Sequence, residues 1–400
     1  MVATAAMRNS RGNRCRRTGP VLALIGATAL GLSACGSGGT SAASSSTSTL
    51  PPLPPSVVAY VALAGSGVNL GSGHGLAEVT VATSSGGPAL GKKIRVGTYP
   101  DAVAVNTAGT MAYVANYASN TVTPVNIATG RAGKPIEAGV GPADIVITPN
   151  GKTAYVTDDG SASVLGDTIT PINLATDKPG APITVGPGPQ GIVITPNGLT
   201  AYVADAGAIV SGQSGGVGNT VTPIDLSTRI AGKAITVGNG PTGMAITSDG
   251  STVFVTNLDS GSVTPIATAN NSAGAPISVP GGPISVAVAG QDAWVVDTPS
   301  NTYAGNNVVP ISVSSDRAGA PITVDKGAQF IAITPDGTTG WVSCLQANAL
   351  VPINLATHKI GASIRVAGGP FAMAIADQAQ PGGSGVTTTT SAKKGKKKKT

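Results

Sequence analysis

At 400 residues, with 56 glycines, 30 prolines and only 10% charged residues, the chain can bury a large core but lacks the composition of long helices. Its formal charge of +6 comes from the two ends, because the stretch from Glu78 to Asp377 holds all eighteen acids against thirteen of the twenty-four bases. A mildly acidic body removes the main support for a nucleic-acid partner, and three cysteines exclude a disulfide framework and a Cys/His zinc cluster.

Residues 1–34 read as an export signal. Arg8, Arg11, Arg14, Arg16 and Arg17 precede an apolar run at 21–32 that is too short to span a bilayer comfortably. The run ends in Leu32-Ser33-Ala34-Cys35, which resembles the bacterial lipobox. That resemblance implies cleavage before Cys35 and a diacylglycerol on its sulfur, hence an extracytoplasmic protein lipid-anchored to the bacterial cell membrane. Arg16-Arg17 leaves a twin-arginine route open beside the general one. Residues 35–56, rich in Ser and Thr and closing in Pro51-Pro52-Leu53-Pro54-Pro55, are too poor in apolar residues to fold. They read as a tether with a reach on the order of 25 Å.

From residue 57 to residue 378 the chain repeats itself. An aromatic recurs as Tyr60, Tyr113, Tyr155, Tyr202, Phe254, Trp294 and Trp341, at spacings of about 40 to 53 residues. That period fits one four-stranded propeller blade. Each unit opens with a Gly/Pro turn and an apolar triplet such as Ile145-Val146-Ile147 or Ile192-Val193-Ile194, continuous enough to be buried on both faces as the innermost strand. A tight turn such as Pro149-Asn150-Gly151 leads to the aromatic strand, then comes a Thr-Val-Thr-Pro-Ile type strand and finally a Pro-Ile-Thr-Val type strand.

Tyr113-Val114-Ala115-Asn116, Tyr155-Val156-Thr157-Asp158 and Phe254-Val255-Thr256-Asn257 resemble the signature of the YVTN β-propeller repeat family of bacterial exported proteins. The resemblance implies an all-β, seven-bladed propeller of four-stranded antiparallel blades and is nearly silent on chemistry. Seven triplets, set against an entry at a second strand and an exit after a first strand, require the two terminal strands to pair and close the ring. Pro124, Pro171, Pro223, Pro265, Pro310 and Pro352 fall inside the third strand, where Glu78 takes the corresponding place in the first repeat. A proline there deprives the ladder of a donor, so the fourth strand is expected to end before reaching it, leaving each blade splayed.

The loops joining second to third strands vary in length, and on a rigid scaffold such loops carry binding. On that face the position closing the aromatic strand is Asn116, Asp158, Asp205, Asn257 and Asp297 in five repeats, then Cys344 and Leu63. Asp101, Asp144, Gln190, Thr242 and Gln329 lie in the adjoining turns, with Phe371 beside the apolar gap. Two readings stand: a tunnel-mouth site for a cation or a polyhydroxylated ligand, or strand-end residues bonded to local backbone. No other cofactor is implied. Catalysis has little to rest on, because the only histidines are His74 and His358 and no nucleophile elbow or paired acid/base is visible. A lactonase-like hydrolase or isomerase using the acidic arc remains the alternative to a non-catalytic envelope scaffold that binds a ligand or protein. Residues 379–400, with Lys393, Lys394, Lys396, Lys397, Lys398 and Lys399, read as a tail able to meet anionic envelope polymers. Cys344 reads as a small buried hydrophobe.

Overall fold

The computed structural model describes residues 56–65, 73–82, 89–161, 163–207, 218–298 and 305–378, all within one compact unit that starts at Pro52. The leader with Cys35, the tether before Ser56 and the lysine-bearing tail lie outside the described residues. Seven separate antiparallel sheets form the blades of a seven-bladed propeller. Blade 1 is made from both ends of the described chain, with Pro370–Gln378 innermost, followed by Ser56–Leu63, Gly75–Ala82 and Ala89–Arg95. Blades 2 to 7 follow in order, their inner strands being Pro100–Val105, Pro142–Ile147, Pro189–Ile194, Pro241–Ile246, Gly282–Ala289 and Ala328–Ile333.

The turns explain why each repeat folds alike. In blade 3 the Asn150 side-chain oxygen accepts from the Thr148 hydroxyl at 2.8 Å and from the Lys152 N–H at 3.0 Å, while Gly151 takes φ 69°. Blade 4 repeats the geometry with Asn197, and blades 5 and 7 repeat it with Asp249 and Asp336. Only the oxygen matters, so Asn and Asp interchange.

There is no single core. Seven apolar clusters lie at the seven seams, and each is seeded by the aromatic of one blade packed into the next. Tyr60 joins Val103, Val114 and Val125 of blade 2; Tyr155 joins Ile192, Val203 and Ile224 of blade 4; Trp341 joins Ala59, Val61 and Met373 of blade 1. All seven rings are at most 3% exposed. Three of these rings meet the turn between third and outer strands of the following blade. The Tyr202 hydroxyl donates to Asn271 Oδ1 at 2.6 Å, Tyr155 bonds to Arg229, and Trp294 meets His358 edge-on with centroids 5.1 Å apart. Asn271, Arg229 and His358 all have φ between 55° and 60°, the left-handed residue of a repeated turn.

The inner strands are less enclosed than the apolar triplets suggest. Val146 and Ile147, like Ala104 and Val105, are half-buried rather than buried. The third-strand prolines also act differently from expectation. In blades 2 to 7 the outer strand does not stop short of the proline but is cut in two around it. In blade 2, Arg131–Ala132 pairs with Val125 and Asn126, while Ile136–Glu137 pairs with Thr121 and Val122. Between them the Gly133 N–H donates to the Pro124 carbonyl at 2.7 Å, so the blade is not splayed. A Cβ on Gly133 would stand 3.1 Å from Pro124 Cγ, which is why glycine faces the proline in all six blades. Two blades isolate the cause. Blades 4 and 7 carry Ala234 and Ser363 where other outer strands have a proline of their own, yet both are still split, opposite Pro223 and Pro352. Blade 1, with Glu78 in place of the third-strand proline, keeps one outer strand, Ala89–Arg95, with a bulge opposite Ala77 and Val79.

Closure is the pairing of Ser56 with Gln378, Ala59 with Ile375 and Leu63 with Pro370. Removing residues 370–400 takes the inner strand from blade 1 and opens both seams it shares, those built on Trp341 and Tyr60. The truncated protein is expected to lose cooperative unfolding and to bind a hydrophobic dye. A melt matching the full chain's would show that the ring does not need its closure.

Candidate functional site

The inner strands start at one end of the propeller, called here the loop face, where the second-to-third loops also lie. The residues closing the second strands are all buried there: Asn116, Asp205 and Asn257 at 0%, Asp158 at 1% and Asp297 at 3% exposure. They turn into the blade instead of the channel. One Asp158 oxygen accepts from the hydroxyls of Thr168 (3.0 Å) and Thr170 (2.8 Å), and the other accepts from the Gly139 N–H at 3.0 Å. Asp205 does the same with Thr220, Thr222 and Gly186. Gly139 and Gly186 lie in the linkers arriving from the preceding blades, so each aspartate ties an incoming linker to its own third strand. A Cβ at Gly139 would fall 2.2 Å from Asp158 Cγ. Asn116 and Asn257 donate instead, to Thr123 and Thr264 at 2.9 and 2.8 Å. In blade 6 the linker glycine is Pro280 and the threonines are Asn307 and Val309, so Asp297 retains the Gly281 N–H while its Oδ1 has no partner.

A second group faces the channel mouth. Asp101, Asp144 and Gln190 are on the inner strands themselves, next to the register shift that follows the opening proline, and not in the turns before them. Asp144 accepts from its neighbour Ile145 at 2.8 Å and from the Ile192 N–H of blade 4 at 3.0 Å. Around them stand residues that the sequence patterns did not single out. Asp159 bonds to Tyr117 and Gln190, and Tyr117 packs edge-on against Tyr99 with centroids 5.6 Å apart. Tyr99 in turn lies 6.4 Å from Phe371. The result is a half-buried arc drawn from blades 1 to 4: an aromatic wall of Phe371, Tyr99 and Tyr117, then Asp159 and Gln190, with Asp101 and Asp144 close enough for their charges to interact.

Tyr99 is the departure in this arc. It sits one residue before the proline that opens the inner strand, with φ 52°. The same place is Gly141, Gly188, Gly240, Gly327 and Gly369 in blades 3, 4, 5, 7 and 1, all at positive φ. Holding a non-glycine residue in the left-handed region costs about 1–2 kcal/mol. The signal was present in the sequence as Thr98-Tyr99-Pro100 where five other repeats read Gly-Pro and one reads Gly327-Ala328.

Burial dominates the electrostatics. It outweighs the hydrogen bonds that lower each carboxyl and leaves Asp144, Asp158, Asp159, Asp205 and Asp297 raised to about 6. Asp101 is raised well above the usual range by burial and then by the charges of Asp159 and Asp144. Tyr117 is pushed up to about 12 by burial and then by Asp159 and Asp101. Gln329 folds back, its amide donating to the Ala328 carbonyl at 3.0 Å. Cys344 is buried and free, with its thiol raised by burial to about 12, which suits a packing residue and not a nucleophile. His74 is exposed near the loop face and His358 lies at the opposite end against Trp294. Among the described residues no three His, Cys, Asp or Glu side chains gather closely enough to hold a metal ion.

No protein-family model matches the chain, and no curated protein matches it either. The YVTN likeness therefore rests on the residues quoted above. Solved structures do match. Kuenenia stuttgartiensis hydrazine synthase aligns at 20% identity and TM-score 0.58, covering 82% of this chain and 100% of that one. A functionally unknown protein from Desulfotomaculum acetoxidans aligns at 16% and 0.64, over 80% and 99%. A putative 6-phosphogluconolactonase from Bacteroides fragilis aligns at 16% and 0.62, over 81% and 98%. At such identities the likeness shows the propeller fold alone.

The raised carboxyls set the pH response. A group whose folded pKa lies above its unfolded value of about 4 stabilises the fold when protonated, and that contribution is lost as pH rises through about 4 to 6. Asp249, lowered to about 2, and Asp225 and Asp336, also lowered, act in the opposite sense and lose their contribution below pH 4. The melting temperature should therefore peak near pH 4 to 5 and fall towards pH 7. Asp158→Asn and Asp205→Asn, which copy the Asn116 and Asn257 blades, should flatten the fall. A profile unchanged by both substitutions would contradict this.

Proposed function

We propose that the protein is a non-catalytic lipoprotein of the cell envelope whose propeller binds an organic ligand or a protein segment at the loop-face mouth. The observation that carries the reading is Tyr99, an aromatic ring held in a conformation that the repeat otherwise gives to glycine. Strain maintained against the grain of a repeat points to use. The neighbouring chemistry defines the ligand class. Three aromatic rings beside Asp101, Asp144 and Asp159 suit an amine-bearing or polyhydroxylated group that stacks on a ring and offers donors to carboxylates. The absence of a three-ligand cluster among the described residues favours such a group over a bare metal ion. The lipid anchor rests on Leu32-Ser33-Ala34-Cys35, and the lysines from Lys393 to Lys399 would add attraction to anionic polymers or headgroups.

A thermal-shift panel of polyamines, amino sugars and polyols tests the site. Tyr99→Gly restores the repeat's own residue, so the variant should melt within a few degrees of the parent while losing at least tenfold in affinity for any hit. Undiminished binding would place the ligand elsewhere. The anchor has its own test: Cys35→Ser should move the protein from the detergent phase to the aqueous phase, and equal retention would remove the lipid.

A second reading is a lactonase-like hydrolase, favoured by acids near pKa 6 gathered at the loop face and by the fold shared with the Bacteroides fragilis protein. Asp159 or Asp144 would then activate water as a general base. Turnover of a lactone panel that disappears in Asp159→Asn would decide for it, and no turnover would leave the binding reading.

A further inference from the structure

Blade 1 breaks the rule that the other six obey. In blades 2 to 7 the outer edge is cut opposite a third-strand proline, so no edge offers a continuous row of backbone groups. Blade 1 has Glu78 in that place, Gly91 facing it as Gly133 faces Pro124, and Lys93 where Pro135 stands in blade 2. Its outer strand, Ala89–Arg95, is one strand of seven residues with a single bulge opposite Ala77 and Val79, ends its sheet and is exposed at every position except Ile94. Among the described residues no strand pairs with this edge, and an edge of this length is a template for another strand.

Charge selects the occupant. Lys92, Lys93 and Arg95 are all exposed on this strand, in a body that is otherwise acidic, and Leu90 beside them is 57% exposed. A second copy of the same edge would set like charges against each other, whereas an acidic strand would pair across the ladder. We propose that the Ala89–Arg95 edge receives an extended, acid-bearing segment of another protein as a fifth strand of blade 1. Main-chain hydrogen bonds supply the attachment, the two lysines and the arginine choose acids, and Leu90 offers one apolar contact. The surface is on the side of the ring and does not depend on the mouth site.

The probe is a fluorescein-labelled seven-residue peptide alternating glutamate with valine or threonine, titrated by anisotropy against the full chain. Saturable binding is expected, with at least a tenfold loss in Glu78→Pro, which installs the repeat's own interruption, and a similar loss in Lys93→Pro. Each variant is first required to melt like the parent, and two are used because either alone could fold poorly. The same peptide N-methylated at alternate amides keeps its charge and loses its ladder, so it should not bind; this separates strand pairing from attraction to the lysine tail. No binding, or equal binding by the methylated peptide or by both proline variants, overturns the proposal. Self-association of the full chain that Glu78→Pro abolishes would overturn it in favour of a second copy.

Discussion

Each blade hands one aromatic ring to the next, and the stability of the molecule hangs on that exchange being carried around a closed circle. A four-stranded sheet alone cannot bury both faces. Stacked radially, each sheet covers its neighbour, and the seven seams replace the single core of an ordinary domain. Two of the seven seams involve blade 1, the blade assembled from both ends of the chain. The pairing of Ser56–Leu63 with Pro370–Gln378 therefore governs Trp341 and Tyr60 as much as it governs its own ladder.

The prolines show how a propeller protects its rim. A residue without an N–H on the third strand breaks the outer strand beyond it, and the split pieces present too few consecutive groups for another chain to pair with. Blades 4 and 7 show that the third-strand proline suffices by itself, and blade 1 shows that its loss restores the strand. The carboxylates at the second-strand ends work in a similar local way. Asp158 and Asp205 fasten linkers, and where Pro280 and Val309 remove their usual partners, Asp297 keeps an oxygen unsatisfied.

Much of this was legible in the sequence, because repetition amplifies weak signals. Seven triplets and seven aromatics gave the blade count, and an entry at the second strand demanded closure. The residues at the strand ends were harder to interpret from spacing. Asp158 shares a strand with Tyr155 but lies three positions on, hence on the opposite face of the sheet, where the linker glycine covers it. Asp101, Asp144 and Gln190 were visible as polar residues beside the channel. Tyr99, Tyr117 and Asp159 were not, since each is a departure from the repeat and a search for periodicity discards departures. The split outer strand was missed for a different reason: the glycine that faces the proline supplies an N–H to its carbonyl and repairs the gap.

Closure through antiparallel terminal strands also fixes how the molecule answers force. Ser56 lies opposite Gln378, so the two ends of the propeller emerge side by side at the end remote from the mouth. Tension between those ends would open the ladder one rung at a time, as a zipper opens, with each hydrogen bond loaded only after its neighbour has failed. Tension between Ser56 and something held at the mouth runs along the strands of blade 1 instead, and loads all the rungs together in shear. The same pairing is weak against one direction of pull and strong against the other, and under the proposed tethering the strong direction is the one in which a ligand at the mouth would draw the propeller.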